Sequence, residues 1–355
     1  MRPFYLIGAR RIATLVSEQR YQARKDEGMP VIDRRSLIGA MATVPLAGRA
    51  AAQAASAAAM TPWPPAEHFS LWPGRPPGAR ATLPKPNPSM NGPAGRQELW
   101  LRGTADPIVA VFRPERPDGR AVLTIPGGGY GFVSIQNEGI DVAKTLNPHG
   151  ITVFALSYRL PSEGWDDQAN VPLQDAQRAM RLIRANASRY GIDPAKLGIV
   201  GFSAGGHLAA SLTVGYDDKV YMPVDAADRQ SARPRFSGLV YPVASLSTPN
   251  THPGSRDNLL GPNPDPATKA RYDTPRRIDA STPPLFLVHA VDDGLVPLDQ
   301  SIDVLTQARA AKVPVEAHFF EKGGHGFGAM SAPEGSPNRL WPDLFDRWIA
   351  QTLKS

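Results

Sequence analysis

The chain of 355 residues contains no cysteine. That absence excludes structural disulfides, thiolate metal sites and a cysteine nucleophile, and it leaves the compartment open. A Gly-x-x-x-x-Gly-Lys-Ser/Thr phosphate loop is also missing. The glycine cluster from Gly127 to Gly131 fails as a dinucleotide fingerprint because Phe132 stands where the last glycine belongs. Neither His-Glu-x-x-His nor a comparable cluster occurs, so the sequence predicts no metal and no cofactor. The formal charge is +6, but residues 1–54 hold nine Lys/Arg against four Asp/Glu, which leaves the rest nearly neutral. With no basic stripe interleaved with aromatics in that remainder, a nucleic-acid partner is not expected.

Arg34-Arg35, a short apolar stretch and the small-x-small site Ala52-Gln53-Ala54 resemble a twin-arginine (Tat) secretory signal. The apolar part is too short for a permanent membrane anchor. The expectation is a leader over 1–54 with its true start at Met29, handled by the Tat machinery, and a mature periplasmic or secreted protein beginning near Ala55. Residues 61–93 carry ten prolines, a composition that resists helix and sheet. Residues 55–95 therefore read as an extended linker, with Trp63, Phe69, Leu71 and Trp72 as points where it pins to the domain at 96–355.

Hydrophobic residues make up 42% of the chain, ample for a buried core. Apolar runs of strand length occur at 97–102, 108–112, 121–125, 151–157, 197–201, 236–241, 285–290 and 315–320. Helix-compatible segments at 138–146, 173–190, 204–214, 298–311 and 338–352 lie between or after them. Ala176, Ala179, Met180, Ile183 and Ala187 recur at helical spacing and form one apolar stripe. This alternation predicts an α/β protein, a mostly parallel sheet of eight strands with helices on both faces. The irregular stretch 242–284 reads as a cap over one end of the sheet or as a solvated insertion.

Gly201-Phe202-Ser203-Ala204-Gly205 sits between the apolar run at 197–200 and a helix-compatible run. A strand, a sharp turn and a helix in that order present the Ser203 hydroxyl at a helix N-terminus. Alone, the pentapeptide is equally an ordinary glycine-rich turn. An acid and a histidine that follow it change this: Asp292-Asp293 ends the run at 284–291, and His325 stands among Gly323, Gly324 and Gly326.

The order Ser, Asp, His with the elbow turn resembles the α/β-hydrolase fold from about residue 97 onward. Ile125-Pro126-Gly127-Gly128-Gly129-Tyr130, Tyr158-Arg159-Leu160-Pro161 and the run Gly201 to Ala209 resemble secreted esterases akin to acetylxylan esterases and other carbohydrate esterases. The resemblance implies Ser203 as nucleophile, His325 as base and Asp293 as acid, with Asp292 as fallback. It also implies an oxyanion hole from the backbone amides of Gly128, Gly129 and Ala204. Pro126 stands where related esterases carry a histidine before the glycines, which leaves the bracing of that loop unexplained. The implied activity is hydrolysis of short-chain, acetyl-type esters on a small molecule, oligosaccharide or polysaccharide. Alternatives are a general carboxylesterase or lipase, a serine peptidase of the same fold, and a non-catalytic binding protein.

Tyr130, Trp165 and Phe132 are candidates to stack on a sugar or line an acyl pocket, with core packing as the competing reading. His207 and His289 read as structural, and His318 as packed or exposed at a sheet edge. Asp175 and Arg178 read as framework positions or a solvated pair. Glu138, Tyr158 and Arg159 resemble family positions near the active-site end, and the resemblance implies no catalytic role for them.

Overall fold

Strands that are apolar at every position need cover on both faces, and this requirement organises the molecule. A computed structural model describes residues 62–92 and 97–354. The leader, Met29, the arginine pair and the small-x-small site all lie outside the described residues. The strands are β1 (His68–Ser70), β2 (Ser89–Asn91), β3 (Glu98–Trp100), β4 (Ile108–Phe112), β5 (Ala121–Ile125), β6 (Thr152–Ser157), β7 (Leu197–Phe202), β8 (Ser237–Val240), β9 (Leu285–Ala290) and β10 (Val315–Phe320). Eight of them form one sheet in the order β1-β4-β6-β5-β7-β8-β9-β10. The strands β1, β4 and β6 pair antiparallel, and from β6 to β10 every pairing is parallel.

The helices are α1 (Asp141–Leu146), α2 (Val171–Ala185), α3 (Ala187–Tyr190), α4 (Ser203–Val214), α5 (Pro253–Leu260), α6 (Pro266–Arg271), α7 (Asp299–Ala310) and α8 (Trp341–Thr352). Successive strand residues point to opposite faces. Leu123, Phe154, Ile199 and Leu285 join α2 and α4 in one core, while Val122, Val153, Val200 and Phe286 join α1 and α8 in the other. The expected α/β-hydrolase architecture is therefore present, with the stripe of Ala176, Ala179, Met180 and Ile183 fully buried.

Two expectations need correction. The run at 97–102 is not a strand of the large sheet, because Glu98–Trp100 pairs with Ser89–Asn91 in a separate two-stranded ribbon. The eighth strand comes instead from the proline-rich segment, where His68–Ser70 pairs with Ile108–Ala110. Three residues without proline suffice for an edge strand, which needs hydrogen bonds on one side only. Residues 62–92 are thus no free tether, and Leu71 and Trp72 are buried as the pins they were expected to be.

Asp175 is the anchor for that segment, and it is not paired with Arg178. Its carboxylate accepts from Trp72 Nε1 at 2.8 Å, from the Arg159 amide at 2.9 Å and from Arg159 Nη2 at 2.7 Å. Both side chains of the Arg159–Asp175 pair are wholly buried. The guanidinium also lies over Trp72 and Trp165 and donates to the Pro77 carbonyl at 2.6 Å. Arg178 turns the other way, toward Asp225, Asp228 and the Leu71 carbonyl. Removing one partner of a buried ion pair leaves the other charge uncompensated. Asp175→Ala should therefore cost about 3–5 kcal/mol in denaturant unfolding, and a loss below about 1 kcal/mol would show that the pair contributes no more than a surface bridge.

Candidate active site

Where neighbouring parallel strands connect in opposite directions, their carboxyl ends open a crevice. The chain leaves β5 for β6 on one side, while β7 lies against β5 on the other, with Ile125 opposite Gly201. At this edge β5 delivers Gly127 to Gly129 and β7 delivers Ser203. Farther along the same edge, the loops after β9 and β10 deliver Asp293 and His325.

Ser203 begins α4 with φ of 51°, a left-handed conformation that costs energy for a residue with a Cβ. The turn persists because its surroundings leave no room to relax. A Cβ at Gly205 would collide with the Ile125 and Pro126 carbonyls, so α4 packs directly on the end of β5. A Cβ at Gly127 would sit 2.8 Å from that of Ser203.

Ser203 Oγ donates to His325 Nε2 at 2.8 Å, and His325 Nδ1–H donates to Asp293 Oδ2 at 2.7 Å. The other Asp293 oxygen accepts the Leu295 and Val296 amides, both at 2.9 Å. Burial alone would raise this carboxyl. Hydrogen bonds from His289 and His325, the nearby His325 charge and the Val296 amide outweigh burial and hold it well below the usual carboxylate range. His289 donates from Nε2 to the Val296 carbonyl at 2.9 Å and lies 3.2 Å from Asp293 Oδ2, so it steadies the acid. Asp292, the fallback, faces away and accepts the Gly324 amide at 2.8 Å.

Among the described residues, no group accepts from the amides of Gly128 or Gly129, and the Ala204 amide lies in the first turn of α4. Gly128 and Gly129 line the same cleft as Ser203 and His325. The loop is braced by a residue the sequence reading left without a role. Glu138, on the π-helical turn Gln136–Ile140, accepts the Gly127 amide through Oε2 at 2.6 Å and the Tyr241 hydroxyl through Oε1 at 2.8 Å. Tyr241 in turn accepts the Gly328 amide at 2.9 Å, and its ring lies 4.9 Å from that of His325. Asn137, on the same turn, donates to the Gly326 carbonyl at 3.0 Å. Burial raises the Glu138 carboxyl, and neighbouring Glu98 adds to this. The Gly127 and Tyr241 bonds oppose the rise, and the group comes to rest at about 7.

The cleft has a volume of about 440 Å³ and is walled by Phe132, Glu98, Arg102, His252, Asn258 and Leu295. Phe132 stacks on Trp100 with ring centroids 3.8 Å apart, and Arg102 lies over both rings. Tyr130 and Trp165 do not line it. Tyr130 is buried with its hydroxyl on His207 Nδ1 at 2.8 Å, and Trp165 is buried over Arg159. Both were drawn into the core because a nearby polar or charged group gave their rings a partner there. His207 donates from Nε2 to the Tyr272 carbonyl at 2.9 Å, and burial pushes its pKa down to about 4, so it is a neutral structural link. Among the described residues, no group of three His, Asp or Glu side chains is arranged to hold a metal ion.

Comparison with known proteins gives a consistent picture. The BD-FAE family profile matches residues 110–307. An acetylxylan esterase of Xylanibacter ruminicola is 35% identical over 62% of this chain and 43% of its own length. An endo-1,4-beta-xylanase B of Butyrivibrio fibrisolvens is 37% identical over 58% of this chain and 32% of its own. The chain thus spans less than half the length of either relative. Among solved structures, an acetyl ester-xyloside bifunctional hydrolase from Caldicellulosiruptor lactoaceticus superposes with a TM-score of 0.61 at 34% identity, covering 69% of this chain and 88% of that one.

The Glu138 clamp has a measurable signature. A buried carboxyl raised to about 7 binds its proton more tightly in the fold than in the unfolded chain. Its contribution to stability is therefore fully present below the unfolded value and is lost as pH rises through about 7. Glu138→Gln lacks this dependence. The difference in unfolding free energy between variant and wild type should move in the variant's favour from pH 5 to pH 7.5, at up to about 1.4 kcal/mol per pH unit. Urea titrations across that range would measure it, and a pH-independent difference would contradict the assignment.

Proposed function

The chain belongs to the BD-FAE family, and from that premise we propose that it is a serine esterase that removes short acyl groups, acetate foremost, from carbohydrate esters. The reading is carried by one observation: an unbroken relay from Ser203 through His325 to Asp293, set beside unpartnered backbone amides in an open cleft. In the proposed cycle, Ser203 Oγ attacks the ester carbonyl carbon while His325 Nε2 takes the hydroxyl proton. The amides of Gly128, Gly129 and Ala204 receive the oxyanion, and Asp293 stabilises the imidazolium. The carbon–oxygen bond to the alcohol then breaks, His325 returns its proton to the leaving oxygen, and an acyl-Ser203 remains. Water, deprotonated by the same imidazole, attacks the acyl carbon; the bond to Ser203 Oγ then breaks, His325 returns the proton to that oxygen, and the carboxylic acid leaves.

Two features favour a small acyl group. The cleft is modest, and its lining is mostly glycine and polar or charged side chains, with Phe132 and Leu295 as its apolar members. Carbohydrate as the alcohol is supported by the names of the acetylxylan esterase and of the acetyl ester-xyloside hydrolase. The leader with Arg34-Arg35 supports a substrate met outside the cytoplasm, after export through the Tat machinery.

Ser203→Ala should lower kcat on p-nitrophenyl acetate by about 10⁶-fold with thermal unfolding unchanged or nearly so, and Asp293→Asn should lower kcat by about 10⁴-fold. Rates on nitrophenyl esters should fall steadily from acetyl to octanoyl. A wild-type protein inactive on acetyl, butyryl and peptidyl substrates would instead favour a binding protein. N-terminal sequencing of the exported form should find a start near Ala55, and a mature form with the leader intact would refute export.

A further inference from the structure

The cap segment over the cleft contributes one side chain whose chemistry is fixed by its surroundings. His252 is the N-cap of α5, and its Nδ1 accepts the Ser255 amide at 3.2 Å. A backbone amide can only donate, so Nδ1 carries no proton and the neutral ring must carry it on Nε2. The Ser255 hydroxyl, 2.8 Å from Nδ1, donates to the same nitrogen. No acceptor for Nε2–H occurs among the described residues, and the ring borders the cleft beside Gly129, with Ser203 and His325 on its other walls. The helix is held at this place, since Asn258 donates to the Gly129 carbonyl at 2.8 Å. Burial, followed by the proximity of His325, lowers the His252 pKa, which keeps the ring in this neutral, single-tautomer form.

A donor in this position needs an oxygen to serve. In an acetyl ester the carbonyl oxygen is taken by the oxyanion amides and the methyl group offers nothing. Any further acceptor must belong to the alcohol. His252 also lies within electrostatic reach of His325, the group that protonates the leaving oxygen. We propose that His252 is a specificity-determining residue that donates from Nε2–H to a hydroxyl or ring oxygen of a sugar on the alcohol side of the ester. This rests on the esterase reading above and assigns the cap a part in choosing the substrate.

The test separates the donor from the cap. Asparagine is among the best N-cap residues and keeps an acceptor for the Ser255 amide, but it is too short to present a donor where Nε2 stands. The readout is the ratio of kcat/KM on an acetylated methyl xyloside to kcat/KM on p-nitrophenyl acetate, whose alcohol has no sugar oxygens. His252→Asn should lower this ratio about tenfold, the scale of one lost hydrogen bond, while thermal unfolding stays near wild type. His252→Ala should lower both the ratio and the unfolding temperature. A His252→Asn ratio within about twofold of wild type would overturn the proposal and leave the imidazole only a cap. Equal losses on both esters would overturn it too, as would a change that follows acyl length instead of the alcohol. A wild type inactive on both esters would remove the function itself, and this proposal with it, a result distinct from a variant whose ratio stays put.

Discussion

A carboxylate sealed beneath the cleft holds the working loops to one another. Glu138 accepts from Gly127 after β5 and from Tyr241 at the end of β8, and Tyr241 passes the connection to Gly328 beyond β10. Three loops that leave different strands are thus referred to a single side chain. Proline stands at 126, just before the glycine loop, and the loop is braced from the π-helical turn. Burial disfavours the charged form in such a place, and the hydrogen bond that each oxygen receives offsets that cost only in part. A network of this kind ties the glycine loop before Gly128 and Gly129 to the loop that follows His325.

Much of this arrangement was legible in the residues. The uninterrupted Val/Ile/Leu runs identified most of the large sheet, because a strand covered on both faces can hardly be written otherwise. The elbow turn and a glycine-rich loop singled out Ser203 and His325, the resemblance to α/β-hydrolases chose Asp293 over Asp292, and the structure brings the three within hydrogen-bond distance. What escaped was set by partners far away in sequence. The strand at His68–Ser70 is three residues long and carries no periodicity, so only its pairing with β4 defines it. Glu138 resembles a family position near the active-site end, but its role is seen only with Gly127 and Tyr241 on its two oxygens. For Tyr130 and Trp165 the sequence left pocket lining and core packing both open, because neither His207 nor Arg159, which hold them inside, is a sequence neighbour. His252 gave no signal at all, since its tautomer is fixed by a helix that the proline- and asparagine-rich composition of the cap concealed.

The proline-rich segment shows how composition and role can diverge. Ten prolines between 61 and 93 argue against regular structure, and they largely prevent it. Yet Trp72 reaches Asp175, Pro77 reaches Arg159, and Leu71 reaches Arg178, so the segment is stapled across the start of α2 by three side chains of the domain. The same Asp175 that receives Trp72 also fixes Arg159 immediately after β6.

The place of β1 carries a consequence for life at high concentration. It is one of the two edge strands of the sheet, and an unpaired strand edge is a template on which other chains can add. Here the template is three residues long, with Pro65 shortly before it and Pro73 shortly after. Neither proline has an amide hydrogen to offer, so a foreign strand would find too few donors to continue the ladder. The segment that looks least like structure thereby acts as a hem, finishing the sheet against fraying into its neighbours.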